Sequence, residues 1–293
     1  MKLGFIYCCI FLFVSCEIEG VSVATNNFDE DTSGQTLDSI KLLVTDTNTN
    51  AISNKNKKID SSFIETKYFD NGLTIKWFVK GKGEKISKSD MILIDYRNSL
   101  EDGTIYDGNH LINKPYIPFF VGWNLQTSGW DMAVQELHVG DEVEIFIPSD
   151  FARGEKGIPG IVPPNSPNIL LLKVIIKLEP DFNDDGILIW KVEKAKKDTI
   201  PVTKQSTVDI HYWVSSESKP RYDNSYKRNA PFNLKIGDGN IVPGLEKALL
   251  KGKKGDKMMV FIPSKYAFGS QGLMDLVKPN ESIFYDLLIW QVR

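Results

Sequence analysis

Cysteine is absent beyond residue 16. Cys8, Cys9 and Cys16 are the only three in 293 residues, so the rest of the chain holds neither a disulfide nor a thiolate metal site, and its stability must come from packing. Histidine is scarce too. His110, His138 and His211 are far apart and share no ligand-like spacing, so the expectation is no metal and no other cofactor. There is no excess of positive charge: 35 Lys and Arg stand against 38 Asp and Glu, a formal net charge of -3 with a pI near 5.8. The lysines are interleaved with acids, which leaves no basic field for neutralising phosphates and argues against a nucleic-acid partner. Gly252-Lys253-Lys254-Gly255-Asp256-Lys257 lacks the Gly-Lys-Ser/Thr ending of a phosphate-binding loop and reads as a solvated turn.

No apolar run is long enough to span a bilayer as a helix. The one sustained run, Leu3 to Val14 behind Lys2, has the layout of a signal-peptide h-region. It ends in Leu12-Phe13-Val14-Ser15-Cys16, which resembles a bacterial lipobox, with Phe13 where leucine is usual. That reading makes 1–15 a signal peptide and Cys16 a lipidated first residue; the alternatives are an ordinary secretory signal with a cysteine by chance or an uncleaved short anchor. Acyl chains contribute roughly 0.8 kcal/mol per buried methylene, so two or three on one cysteine hold a soluble domain on a membrane. The expected location is the cell envelope, anchored to the outer membrane on its periplasmic face or at the cell surface. Glu17 and Glu19 resemble the acidic export tags of some Bacteroidetes surface lipoproteins, and equally suit the acidic start of a solvated tether. Residues 16–61 are rich in Asn, Asp, Thr, Ser and Lys without sustained periodicity, and read as a flexible tether. Within it, Ser39 to Thr45 has the make-up of one isolated strand or helical turn.

The remainder is duplicated. Val139-Gly140-Asp141-Glu142-Val143-Glu144-Ile145-Phe146-Ile147-Pro148-Ser149 recurs 115 residues later as Lys254-Gly255-Asp256-Lys257-Met258-Met259-Val260-Phe261-Ile262-Pro263-Ser264, while Tyr96 and Tyr106-Asp107 recur 116 residues later as Tyr212 and Tyr222-Asp223. A near-constant offset implies two copies of one domain. The boundary is placed in Pro180 to Asp185, giving domains over 62–180 and 181–293. With 42% hydrophobic residues the chain is rich enough for two cores.

Within each copy the apolar periods agree. Val208, Ile210, Tyr212 and Val214 alternate with Asp209, His211 and Trp213, as a strand with one buried face requires. Ile169 to Ile176 and Ile283 to Trp290 are continuous apolar runs that suit central strands buried on both sides. Trp130, Ala133, Val134 and Leu137 fall at helical spacing, as do Leu245, Ala248 and Leu249, and Gly140 and Gly252 are placed to stop these helices. One short helix against several antiparallel strands is an α+β domain.

With these elements in place, Leu100-Glu101-Asp102-Gly103-Thr104-Ile105-Tyr106-Asp107, Gly129-Trp130, Asp150-Phe151-Ala152 and Pro159-Gly160-Ile161-Val162-Pro163-Pro164 of the first copy resemble the FKBP family of tacrolimus-binding prolyl isomerases. So do Tyr222-Asp223-Asn224-Ser225, Ala230-Pro231-Phe232-Asn233-Leu234, Ile241-Val242-Pro243-Gly244-Leu245 and Lys265-Tyr266-Ala267-Phe268-Gly269 of the second. The resemblance covers residues 72–179 and 186–293. It implies two tandem FKBP-like domains, each a curved antiparallel β-sheet wrapped around one short α-helix, with an aromatic pocket that receives a proline ring.

Carried over by position, the resemblance implies catalytic roles for Tyr212, Asp223, Phe268 and Tyr285. It implies substrate contacts for Tyr222, Phe232, Leu234, Ile241, Val242, Leu245, Tyr266 and Val277 in the second copy. In the first it implies contacts for Tyr96, Tyr106, Asp107, Phe119, Trp130, Phe151 and Val162. Leu245 replaces the family's tryptophan floor, which Trp130 keeps. Phe268 and Arg153 both replace the tyrosine whose hydroxyl donates to the bound carbonyl. Gln126 and Thr127 stand where the second copy has Ile241 and Val242, and Leu171 is taken to stand where the family has an aromatic. Arg153 either donates to a carbonyl itself or marks a changed ligand.

The activity so implied is peptidyl-prolyl cis-trans isomerisation of envelope or surface proteins during folding, centred on the second copy, with proline-containing polypeptides and tacrolimus-like compounds as ligands. It needs no general acid or base. The alternative is a catalytically weakened chaperone or protein-binding module on a membrane anchor. Substitution at both carbonyl-binding positions favours that alternative, and the apolar walls with Asp223 favour catalysis.

Overall fold

The computed structural model describes residues 62–293; the signal segment, Cys16, the tether and its Ser39–Thr45 stretch lie outside the described residues. The chain divides between Leu178 and Glu179 into two compact units.

The first unit contains β1 (Glu65–Tyr68), β2 (Thr74–Val79), β3 (Met91–Ser99), β4 (Ile105–Gly108), β5 (Ile117–Phe120), α1 (Ser128–Val134), β6 (Glu142–Ile147) and β7 (Asn168–Lys177). Its sheet runs β1-β2-β6-β7-β3-β4, with β5 also paired to β3, and every pair is antiparallel. The second unit contains β8 (Phe182–Asp184), β9 (Ile187–Glu193), β10 (Thr207–Ser216), β11 (Asp223–Asn224), β12 (Phe232–Lys235), α2 (Pro243–Leu249), β13 (Lys257–Ile262) and β14 (Ile283–Val292). Its order is β8-β9-β13-β14-β10-β11, with β12 on β10. The two orders are the same permutation, so the sequence repeat is a repeat of topology. The α+β class holds in both units. Phe182–Asp184, in the stretch placed at the domain boundary, pairs with β9 and belongs to the second unit.

Alternation on β10 is realised. Val208, Ile210, Tyr212 and Val214 are buried and pack against α2 residues Leu245, Ala248 and Leu249 in one apolar cluster. In the first unit Ile92, Ile94 and Tyr96 of β3 pack with Trp130, Ala133 and Val134 of α1. Three expectations are corrected. β7 and β14 are central strands, but only one face is fully buried: Ile169 and Leu171 are half-exposed, Lys173 is exposed, and Trp290 keeps 42% of its surface accessible. An antiparallel sheet with helix on one side leaves its other face to solvent, and aliphatic side chains on that face mimic a doubly buried run. The helices also stop earlier than expected, at Val134 and Leu249, so Leu137 lies beyond α1. Gly140 and Gly252 are therefore not their caps. Gly140 (φ +94°) forms the turn into β6, and a Cβ on Gly252 would sit 2.3 Å from Ile289 Cδ1.

The repeated Gly-Asp pair is a structural staple. Asp141, 1% exposed, accepts hydrogen bonds from Gly81 N–H (2.6 Å), His138 N–H (2.9 Å) and Trp77 Nε1–H (3.0 Å). Asp256, 2% exposed, accepts from Ala195 N–H (2.7 Å), Lys253 N–H (3.0 Å) and the Lys191 ammonium (3.0 Å). Each carboxylate binds the turn before the β6-type strand to the segment following its neighbouring strand, which explains why this motif is the clearest internal repeat.

Candidate functional site

In the second unit β10 directs Ile210 and Tyr212 inward, and β14 sets Tyr285 opposite Val214 in the ladder. β12 places Phe232 opposite Ile210. Proline is tolerated at the first position of α2, where its missing N–H has no helical partner. The chain enters the helix there with Val242 extended, and Ile241, Val242 and Leu245 are delivered together. Phe268 follows the 3-10 turn Ser264–Tyr266 after β13. These residues, with Gly239 and Asn240, enclose a cavity of about 300 Å³. The Tyr212 ring stands nearly perpendicular to Phe232, with centroids 6.1 Å apart, and 5.7 Å from Tyr285.

Seven of the residues expected in the second copy thus line one cavity. Five do not. Leu234 and Val277 are core residues, 5% and 0% exposed, and Tyr222 packs half-buried against the same core. Tyr266 donates its hydroxyl to Asp185 at 2.6 Å, with the ammonium groups of Lys247 and Lys265 over its ring. Val277 is held by a turn that requires glycine: Gly272 has φ +67°, and a Cβ there would meet Val277 O at 2.4 Å. Its counterpart Gly157 makes the same approach to Val162 O in the first unit.

Asp223 lies outside the lining and acts on it through Tyr212. The Tyr212 hydroxyl donates to Asp223 Oδ2 (2.5 Å), while Arg228 donates to the Tyr212 hydroxyl (2.8 Å) and to Asp223 Oδ1 (2.5 Å). Burial pushes the Asp223 carboxyl up, but the bonds from Tyr212 and Arg228 together outweigh it and hold the group below its ordinary value. Burial, then the bond to Asp223, pushes Tyr212 up to about 12. At neutral pH the site is a neutral phenol, a carboxylate and a guanidinium. None of these is poised to exchange protons, in keeping with a site that acts by shape and field.

The first unit repeats the framework with different atoms. Tyr96 donates to Asp107 Oδ1 at 3.0 Å, and Gly108 N–H donates to the same oxygen at 2.8 Å. Trp130, 1% exposed, meets the Tyr96 ring edge-on at 5.1 Å and lies 5.5 Å from Phe119. Here burial dominates Asp107 and pushes its carboxyl above the usual range; the Tyr96 bond, Gly108 N–H and the charge of Arg153 offset it only in part. Tyr106 and Val162 form a separate small cluster with Ile158, and Phe151 packs at the edge of the main core.

The ladders correct one correspondence and fix another. β3 sets Asn98 opposite Leu170, as β10 sets Val214 opposite Tyr285. The residue replacing the aromatic is therefore Leu170, which is fully buried, and Leu171 points to the other face; one residue of slip reverses every side chain. Likewise Ile94 faces Ile117, as Ile210 faces Phe232, so Ile117 holds the Phe232 position and Phe119 the Leu234 position.

Sequence reasoning also missed Ile210, Gly239, Asn240 and Arg228. Ile210 shares the inward face of Tyr212 and was legible from the period of two. Arg228 was not, because it reaches Asp223 only through the tight turn Tyr226–Arg228.

The profile of a family described as FKBP-type peptidyl-prolyl cis-trans isomerase matches residues 82–176 and 198–289. Mouse peptidyl-prolyl cis-trans isomerase FKBP10 is 25% identical over 203 residues, 69% of this chain and 34% of the relative. Bovine FKBP9 is 28% identical over 190 residues, 64% of this chain and 32% of the relative. The chain thus spans about a third of the length of these curated relatives. Among solved structures, the three FKBP domains of wheat FKBP73 are 24% identical, with 76% of this chain and 96% of that chain covered and a TM-score of 0.38.

Proposed function

Since the chain belongs to the family of FKBP-type peptidyl-prolyl cis-trans isomerases, we propose that it accelerates rotation about X-Pro peptide bonds and that its second unit carries most of this activity. The observation that supports this most directly is the cavity of the second unit, walled by Tyr212, Phe232, Ile241, Val242, Leu245, Phe268 and Tyr285, with its charged groups held behind Tyr212. Rotation must cross roughly 18–20 kcal/mol because the twisted amide loses resonance. The twisted form has less charge separation than the planar one, so an apolar cavity favours it over the ground state. Val242 precedes the first turn of α2, where backbone N–H groups have no helical partner, and its N–H is the donor that holds the substrate carbonyl. Lowering the barrier by about 7 kcal/mol would give on the order of 10⁵-fold acceleration.

The test is the isomerisation rate of a Leu-Pro peptide with the chain from residue 17 onward, with and without tacrolimus. Acceleration that tacrolimus suppresses is expected. A folded protein that leaves the rate unchanged would remove the catalytic reading and leave a proline-binding module, which Phe268, lacking a hydroxyl at the carbonyl position, would suit.

The substrates on this reading are proline-containing polypeptides of a bacterial cell envelope, with the chain held on the outer membrane through acylated Cys16. Leu3 to Val14 and the residues up to Cys16 support this. Labelled palmitate should enter the wild-type chain and not Cys16→Ser, and the variant should be released from the membrane fraction. Equal labelling of both chains would rule the anchor out.

A further inference from the structure

The first unit differs from the second at most of the cavity positions, and four neighbouring ones change together. Arg153 stands for Phe268, Gln126 for Ile241, Thr127 for Val242 and Trp130 for Leu245, and each of these four changes adds a polar atom, whereas Leu170 for Tyr285 and Leu125 for Asn240 remove one on other walls. Two of these side chains meet, since Arg153 Nη2 donates to Gln126 Oε1 at 3.2 Å, and the guanidinium charge is felt at Tyr96, Tyr106 and Asp107. Among the described residues, three of the added polar atoms are buried with no hydrogen-bond partner, namely Arg153 Nε, Thr127 Oγ1 and Trp130 Nε1. Trp130 is 1% exposed and Thr127 7%. Buried polar atoms are nearly always paired, so three unpaired ones at positions equivalent to the lining of the second unit's cavity point to a ligand that supplies their partners. Among the described residues the half-buried Arg153 side chain donates to a neutral amide and forms no ion pair with Asp107. A guanidinium drawn from water is stabilised by a carboxylate that it can grip at two nitrogens.

We propose that the pocket of the first unit binds proline segments that carry a carboxylate beside the ring, with the ring over Trp130 and the carboxylate on Arg153 through Nε and a terminal nitrogen. The acid is the side chain of an acidic residue next to the proline or the terminal carboxylate of a chain ending in proline. The inference rests on the proline-pocket reading above and gives the two units different clients: neutral segments for the second, acidic ones for the first.

The test follows the arginine Nε–Hε resonance of Arg153 and the methyl resonances of Ile241, Val242 and Leu245 in the chain from residue 17 onward. Three peptides are titrated: end-blocked Ala-Glu-Pro-Phe, end-blocked Ala-Gln-Pro-Phe, and N-blocked Ala-Ala-Pro with a free terminal carboxylate. The Arg153 signal should respond at least about tenfold more tightly to one carboxylate peptide than to the glutamine peptide, as a charge-assisted contact provides, and the preferred peptide names the source of the acid. Arg153→Phe, which installs the residue of the second unit, should erase this preference while the methyl shifts stay as they were. If that variant does not fold, the comparison of peptides on the unaltered chain decides alone. Equal affinity of all three peptides at Arg153 overturns the inference. Methyl shifts in the second unit with a silent Arg153 overturn it and leave the proline-pocket reading intact. Silence at both sites removes both readings.

Discussion

The two units solve one problem from opposite sides. Each buries a tyrosine whose hydroxyl donates to an aspartate, and each brings a guanidinium near that pair. In the second unit the cation is Arg228, on the turn that follows Asp223, and it grips the carboxylate from outside the cavity. In the first, the equivalent position is Ile112, packed against the core, and the cation is Arg153, in the place of a lining phenylalanine. The Tyr-Asp pair is served either way, but only the arrangement of the second unit keeps the guanidinium out of the cavity lining. Identical topology therefore does not imply identical sites, because which loop carries one charge decides what the pocket can hold.

The same contrast extends to the buried staples, where the largest effect is expected. Asp256→Ala would strand the Lys191 ammonium, 12% exposed on its side chain, and should destabilise the second unit by about 3–5 kcal/mol. Asp141→Ala strands only neutral donors, two backbone N–H groups and the Trp77 indole, and should cost the first unit about 1–3 kcal/mol for the unpaired groups. Denaturant unfolding followed by amide exchange in each unit separates the two. Equal losses would mean that the Lys191 pair adds nothing beyond its hydrogen bonds.

Next in size is conversion of one pocket into the other. Ile241→Gln with Phe268→Arg installs the polar pair of the first unit in the second. It should lower kcat/KM for a Leu-Pro peptide about 100-fold, close to 2.7 kcal/mol of transition-state stabilisation. Gln126→Ile with Arg153→Phe should raise the contribution of the first unit. If the polar pair leaves the rate unchanged, the apolar walls are not what lowers the barrier, and the division of labour between the units fails.

A smaller effect isolates the cation. Arg228→Ile, which copies Ile112, removes two donors from a half-exposed cluster and should cost the second unit about 1 kcal/mol, with the Tyr212 hydroxyl left donating to Asp223. Isomerisation should fall by less than about tenfold, since Arg228 touches Tyr212 and not the cavity. A loss as large as that of the double pocket variant would place Arg228 among the groups that act on the substrate.

Legibility from sequence followed the range of the interaction. Local patterns carried far: the alternation along β10 and the repeated Gly-Asp staple were readable because each is written within a dozen residues. The pocket residues on strands and at the helix entrance followed from the same patterns and from the family resemblance. What failed was register. Leu170 and Leu171 are the same residue type, so nothing local says which one lies on the inward face, and the ladder to Asn98 decides it. Ile117 and Phe119 are two apart on one face, and only the pairing with Ile94 assigns the Phe232 position to the isoleucine. Arg228 was invisible for a related reason, since its reach to Asp223 depends on a left-handed residue, Asn229 at φ +51°, closing the turn. Even the equivalent turn, closed by Asn113 at φ +52°, carries isoleucine instead.

The smallest effect tests the electrostatic side of the comparison through pH. The Asp223 carboxyl is held below its unfolded value, so its contribution to stability is fully present above the unfolded pKa, about 3.9 for aspartate, and is lost as pH falls through the folded value. The Asp107 carboxyl is held above its unfolded value. Its contribution is present below that same unfolded pKa and is lost as pH rises through the folded value. Acidification through the carboxylate range should therefore weaken the second unit through Asp223 and strengthen the first through Asp107. Asp223 is more than a third exposed on its side chain, so solvent screening holds its share to no more than about 1 kcal/mol. Asp223→Asn should destabilise the second unit at pH 7 and lose that effect below the folded value. Asp107→Asn should be neutral or stabilising at pH 7, because asparagine still accepts from Tyr96 and Gly108 without burying a charge. Amide exchange in each unit at pH 7 and pH 3 reads both. A destabilising Asp107→Asn at pH 7 would show that Arg153 supports the Asp107 carboxylate as fully as Arg228 supports Asp223, and the two units would then be electrostatically equivalent.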